Sequence, residues 1–303
     1  TGQRNGSIGS EAMRNHTSGC YNTAVGDHAA CGMSSGCANT AIGYKALYDT
    51  TTASGNMAGG RYALYKNTTG SENTALGSYS LYTNTTGCQN AAVGRQSLQF
   101  NTTGSHNIAV GKSALQENST GCNNVALGHY ALKNNTTASL NTAVGDSALY
   151  CNTTGALNTA HGYKALCTNT TGHSNTSSGA YALNTNTTGC YNTAIGLQAS
   201  YANTSASYNT AVGFCTLRLN TTSSGNTAVG NEALKSFTTG NANTAVGNRA
   251  LKLGTTGAQN TAIGTYSLYM NNGGCQNTAS GYYALGTNST GCHNTAYGMW
   301  SLK

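Results

Sequence analysis

The chain has 303 residues, of which only 7% are charged, and its 14 Lys and Arg outnumber 7 Asp and Glu for a formal charge of +7. So few carboxylates leave no acid/base pair, and no HExxH, nucleophile elbow, P-loop or dinucleotide fingerprint occurs, so the sequence does not read as an enzyme and implies no cofactor. The positive charge is diluted along the chain and shares its columns with Asp27, Glu117, Asp146 and Glu232, so no nucleic-acid footprint forms, and no apolar run is long enough to insert into a membrane.

Residues 1 to 4 (TGQR) read as the end of a preceding repeat, and from Asn5 onward one 17-residue unit recurs to the end. Its glycine falls at Gly9, Gly26, Gly43, Gly60 and every 17 residues to Gly298, giving 18 copies without insertion or deletion. With the leading asparagine as position 1, the unit is N-T-A-V-G-x-x-A-L-x-x-N-T-T-G-x-x. Position 1 is always Asn and position 5 always Gly; position 3 is Ala except at Ser7 and Ser177, and position 9 is Leu except at Met13, Ala30 and Ser200. A fixed period of this kind marks a solenoid, and 17 residues leave no room for two helices per turn.

Positions 1 to 5 alternate as a strand does, with positions 2 and 4 on one face and 1, 3 and 5 on the other. Periodicity does not say which face is inward. Positions 8 to 10, often Ala-Leu-Tyr, predict a second short strand or corner, and the NTTG at 12 to 15 reads as a turn with Asn and Gly accommodating positive φ. The absence of proline suits strands with coils on either side, where a missing N–H breaks the ladder.

The prediction is an all-β fold, a β-solenoid (β-roll) of 18 stacked coils forming one array over 1–303, with complete coils over 5–293 and partial coils at both ends. At about 4.8 Å per coil this is a rod roughly 80 Å long. Asn22, Asn39, Asn73, Asn90, Asn141 and Asn192 should stack as an amide ladder, with Gly26, Gly43, Gly77 and Gly94 at the turn. Ala24, Ala41 and Ala75 with Leu47, Leu64, Leu81 and Leu98 should fill a thin core. Except for Arg4, the Lys and Arg residues fall at positions 6, 7, 10 or 11 with most tyrosines, which marks a solvent-facing edge.

Seven cysteines share position 16. Cys20 with Cys37 and Cys275 with Cys292 lie one coil apart, and Cys151 and Cys167 lie on adjacent coils. A coil spacing of about 4.8 Å falls within the disulfide range of about 4.4–6.8 Å, so these three pairs are candidate disulfides, which would imply an oxidising setting. The competing view is that position 16 accepts small residues, as Ser71, Ser105 and Ala156 show. Position 12 begins Asn-x-Ser/Thr sequons, among them Asn67, Asn84, Asn101, Asn152, Asn169 and Asn186, which are glycosylation candidates as well as good turn chemistry. The histidines are scattered over several columns and form no metal site with the cysteines.

The wording NTAxGxxALxxNTTGxx resembles repeat arrays of bacteriophage tail-fibre and bacterial surface proteins. Its NTAVG core is similar to a segment of trimeric autotransporter adhesin heads, which are β-rolls. The resemblance implies a fibre at a cell surface or on a virion, associating with itself as a homopolymer or homotrimer, with cell-surface glycans as a further partner. The leading expectation is therefore a self-assembling extracellular filament or an adhesin or tail-fibre shaft. The alternative is an ice-binding solenoid that uses a Thr-x-Val face, with Thr23, Thr40, Thr74, Thr142, Thr193, Thr210, Thr227 and Thr244 as its ladder.

Overall fold

The computed structural model describes residues 2–303; Thr1, which the repeat places at position 14 of a preceding coil, lies outside the described residues. The protein is all-β, a β-solenoid of about 17 residues per turn. Each coil contributes one three-residue strand over positions 2 to 4. The chain divides into two units, Thr1–Thr154 and Gly155–Lys303. The first carries nine strands, β1 (Gly6–Ile8) to β9 (Thr142–Val144), and the second nine more, β10 (Thr159–His161) to β18 (Thr295–Tyr297).

Within each unit, neighbouring strands pair in parallel with a register of one repeat. In the first, Thr74, Ala75 and Leu76 face Ala91, Ala92 and Val93; in the second, Thr210, Ala211 and Val212 face Thr227, Ala228 and Val229. Pairing does not stop at the strands. In the coil from Asn73, the N–H groups of Thr74, Leu81, Thr83 and Thr85 donate to the next coil, and those of Gly77, Tyr79 and Gln89 to the previous one, at 2.7–3.0 Å. A proline at any of these places would delete a rung, which is why the chain has none.

In every strand after β1 the central residue, alanine except at Ser177, is buried and its two neighbours face outward, which settles the orientation that alternation leaves open. After the strand, Gly77 takes φ +142, an extended mirror-image conformation open only to glycine, and a Cβ there would stand 2.5 Å from the carbonyl oxygen of Gly94. Two tight turns follow, closed by Ser80 N–H to Gly77 O (3.2 Å) and Asn84 N–H to Leu81 O (3.3 Å).

Of the two forms expected at positions 8 to 10, a second strand or a corner, the turns make the corner. Positions 7, 9 and 17 are left-handed in every coil, as at Tyr79 (φ 60), Leu81 (φ 47) and Gln89 (φ 57). A left-handed residue costs a non-glycine about 1–2 kcal/mol, so each coil carries strain that its neighbours must hold. At position 9 the conformation has a purpose. It lets Ser80 and Leu81, adjacent in sequence, both be buried, which an extended chain with alternating sides would not allow.

The glycine of NTTG differs from expectation too. Gly87 and its equivalents have no positive φ; a Cβ at Gly87 would lie 2.3 Å from Gly104 O and 2.5 Å from Asn84 Oδ1. Close approach, not turn conformation, selects glycine there.

Candidate functional site

Three columns of polar side chains run along the coils, two inside and one at the rim. The first is position 1. Asn73 Nδ2 donates to Asn56 Oδ1 (3.3 Å) and to Gly87 O (2.9 Å), while Asn73 Oδ1 accepts the backbone N–H (3.0 Å) and Nδ2 (3.1 Å) of Asn90. The amide thus uses both donors and both acceptor sites. Asn22, Asn39, Asn90, Asn141 and Asn192 stand buried in the same column. Asp could not donate here, and Gln, one methylene longer, would push its amide out of register in a filled interior, which accounts for asparagine in all copies. Gly26, Gly43, Gly77 and Gly94 share the positive φ after the strand, and Ala24, Ala41, Ala75, Leu47, Leu64, Leu81 and Leu98 are all fully buried.

The second column is position 12, and it overturns the glycosylation candidates. Asn67, Asn84, Asn101, Asn152, Asn169 and Asn186 are all fully buried. Asn84 Nδ2 donates to Asn67 Oδ1 (2.8 Å) and Gly87 O (2.9 Å), and Asn101 Nδ2 to Asn84 Oδ1 (2.8 Å) and Gly104 O (2.9 Å). A glycan on Nδ2 would take over a donor of the ladder and would have to fit inside the coil. The sequon is a by-product of this second amide ladder, whose register with the first was visible in the repeat but resembled turn chemistry.

The third column is position 16. Ser71 N–H donates to Cys88 Sγ (3.4 Å), Cys88 N–H to Ser105 Oγ (3.0 Å) and Ser105 N–H to Cys122 Sγ (3.3 Å). Serine and cysteine exchange freely in this column because either offers a γ acceptor to the coil before it. This corrects the expected disulfides. Cys20 N–H donates to Cys37 Sγ and Cys275 N–H to Cys292 Sγ, both at 3.2 Å, and these four thiols are free. Cys151 is a free thiol as well, so the pairing with Cys167 is not made. The thiols of Cys37 and Cys292 also donate to the carbonyls of Ser35 (3.9 Å) and Thr290 (3.5 Å), a role a disulfide sulfur loses. The oxidising setting inferred from those bonds loses its support. Substituting Cys88→Ser should leave stability unchanged, and Cys88→Ala should cost about 0.5–1.5 kcal/mol in chemical denaturation; equal losses would rule out the acceptor role.

Outside, the coil presents two unlike surfaces. One is the strand face, positions 2 and 4, where, among the described residues, no strand carries Lys, Arg, Asp or Glu. Thr23, Thr40, Thr74, Thr142, Thr193, Thr210, Thr227 and Thr244 lie on it. From β5 (Thr74–Leu76) to β8 (Val125–Leu127) it becomes aliphatic: Leu76, Val93, Ile108, Val110 and Leu127 are each 37% to 43% exposed. The other surface is the edge at positions 6, 7, 10 and 11. In the first unit, Tyr48, Tyr65 and Tyr82 stack at 5.2 Å between ring centroids.

In the second unit this edge holds an ion cluster. Glu232 receives Lys235 Nζ (2.5 Å), Lys252 Nζ (2.8 Å) and Arg249 Nε (3.0 Å). Hydrogen bonds from Lys235 and then Lys252 lower its pKa from 4.5 to about 2, against the opposing effect of burial. Because the folded value lies below the unfolded one, the contribution is complete above pH 4.5 and is lost as pH falls through about 2. It amounts to on the order of 1–3 kcal/mol, reduced by the solvent that reaches Arg249. Stability curves of the wild type and Glu232→Gln should therefore differ at pH 7 and converge between pH 4.5 and 2. A gap that stays constant to pH 2 would contradict the assignment.

Among the described residues, no three His, Cys, Asp or Glu side chains stand close enough to share a metal ion. In comparisons with known proteins, the chain matches no protein-family model and no curated protein. The functional candidates are therefore these surfaces: an uncharged strand face and a cationic, tyrosine-rich edge.

Proposed function

We propose that the chain is a structural protein of an extracellular fibre, associating with further copies of itself through the outward strand face. The observation that carries this reading is the aliphatic strip from Leu76 to Leu127. It lies on successive in-register strands, is exposed, and has no charge in either column. Contiguous apolar surface of this kind marks a contact with another molecule. A flat repeating face can meet an identical face with the same spacing, so a second copy matches it strand for strand. The resemblance to tail-fibre and adhesin repeats supplies the setting, a cell surface or virion.

The test is the double variant Ile108→Lys/Val110→Lys, which puts two charges at the centre of the strip in β7 (Ile108–Val110). In sedimentation velocity the wild type should assemble with rising concentration, and the variant should stay dispersed with an unchanged unfolding midpoint. A wild type that remains monomeric at every concentration would sink the proposal.

A second reading rests on the other unit. From β12 (Thr193–Ile195) to β16 (Thr261–Ile263), five consecutive strands read Thr-Ala-Val or Thr-Ala-Ile with the outer two side chains facing outward. Regular ranks of Thr and Val methyl groups on a rigid sheet suit an ice surface. A gap between melting and freezing points, abolished by Thr227→Lys, would favour ice binding and count against the fibre.

A further inference from the structure

We propose that the cation and tyrosine edge of the first unit binds a linear anionic polysaccharide. Six cations, Lys45, Arg61, Lys66, Arg95, Lys112 and Lys133, occupy positions 6, 7, 10 and 11 of coils three to eight. Two carboxylates, Asp49 and Glu117, share that stretch of edge. Glu72 is at position 17 and accepts a hydrogen bond from Gln89 Nε2 (2.8 Å). Among the described residues, none of the six cations has a carboxylate within ion-pair distance, whereas in the second unit Lys235, Arg249 and Lys252 converge on Glu232. An edge with this excess of unpaired cations attracts a polyanion.

The cations are also ordered. Lys45 Nζ lies 5.4 Å and 5.2 Å from the ring centroids of Tyr44 and Tyr48, Arg61 Cζ 5.0 Å from that of Tyr62, and Lys133 Nζ 5.4 Å from those of Tyr130 and Tyr150. A cation already resting on a ring loses less side-chain freedom when an anion arrives, and it keeps N–H donors for it.

The tyrosines decide between classes of polyanion. Single-stranded nucleic acid binds by stacking bases on open aromatic faces. Here Tyr48, Tyr65 and Tyr82 cover each other, with interplanar angles of 10° and 8°. What such a stack leaves is ring edges and hydroxyls, which are hydrogen-bonding partners for sugar hydroxyls, sulfates and carboxylates. The coil spacing of about 4.8 Å is comparable to one hexose residue, so a glycan along the edge meets a new coil with each sugar. The inference does not depend on the fibre reading, because a dispersed chain carries the same edge.

Dextran sulfate is the test ligand, titrated onto the purified protein over a range of salt, with neutral dextran and single-stranded oligothymidylate alongside. Dextran sulfate should bind, with an affinity that falls linearly in log salt, and neutral dextran should not. The K45Q/R61Q/K66Q variant should bind about 10-fold more weakly, while K164Q/R218Q/K303Q, losing the same charge from the second unit, should stay within about 2-fold. Should the first variant fail to fold, K112Q/K133Q examines the same edge. Equal losses in both sets would reduce the effect to net charge and overturn the site. Tighter binding of oligothymidylate than of dextran sulfate would overturn the polysaccharide.

Discussion

Replacing Gly254 with asparagine, which restores the commonest residue at position 12, should destabilise the protein by about 3 kcal/mol or more. The reason is one coil earlier. Position 12 there is Phe237, a fully buried ring in a column made mostly of asparagines. A Cβ on Gly254 would stand 2.3 Å from Phe237 Cε2 and 2.8 Å from its Cζ, so the phenyl ring occupies the space that a side chain at 254 would need. The two departures from the repeat are one substitution in two parts. Phe237→Asn alone should also lose about 3–5 kcal/mol, because it opens a cavity over the glycine. The double variant should then recover to within about 1 kcal/mol of the wild type, a large coupling in a double-mutant cycle. Additive losses measured by chemical denaturation would show that the ring and the glycine are independent.

Asn107→Asp, a change of one atom, should cost about 3–5 kcal/mol. Asn107 Nδ2 donates to Asn90 Oδ1 (3.1 Å) and Gly121 O (2.9 Å), and its Oδ1 accepts the N–H (3.0 Å) and Nδ2 (3.1 Å) of Asn124. A carboxylate would keep the acceptor sites and lose both donors, placing a buried negative charge against two oxygens that want hydrogen. The control is Asn123→Asp, next to the ladder residue Asn124 but exposed at position 17, which should change stability by no more than about 0.5 kcal/mol. If both variants unfold at the same denaturant concentration, the amide ladder is not what demands asparagine.

The repeat made the architecture legible because each position answers to the coil before and after it. Asn at position 1, Ala at 3 and Leu at 9 each had one role that residue chemistry could name. Other positions had two. Alternation alone could not say whether Val110 or Ala109 faced inward. Asn84 in Asn-Thr-Thr-Gly serves equally well as a turn residue or a buried amide, and only burial separates the two. Left-handed Leu81 and Gln89 leave no mark in composition, since neither is a residue that favours positive φ, and the backbone bonds to neighbouring coils impose the conformation. Cys88 had no cysteine one coil away, yet it is a regular member of its stretch of the column, because its thiol and the hydroxyls of Ser71 and Ser105 all offer a γ acceptor.

The surfaces were less legible than the interior. The charged and tyrosine columns could be read from the repeat, but the stacking of Tyr48, Tyr65 and Tyr82 and the convergence of three cations on Glu232 depend on side-chain placement between coils. The aliphatic strip was spread over four repeats, partly as consensus valines and partly as apparent lapses from threonine and valine, and became one surface only when the strands were set in register.

Electron microscopy of the purified protein across a concentration series tests the proposed self-assembly most directly. Filaments of constant width are the expected result, lost in Ile108→Lys/Val110→Lys. Isolated particles of a single chain at every concentration would contradict it.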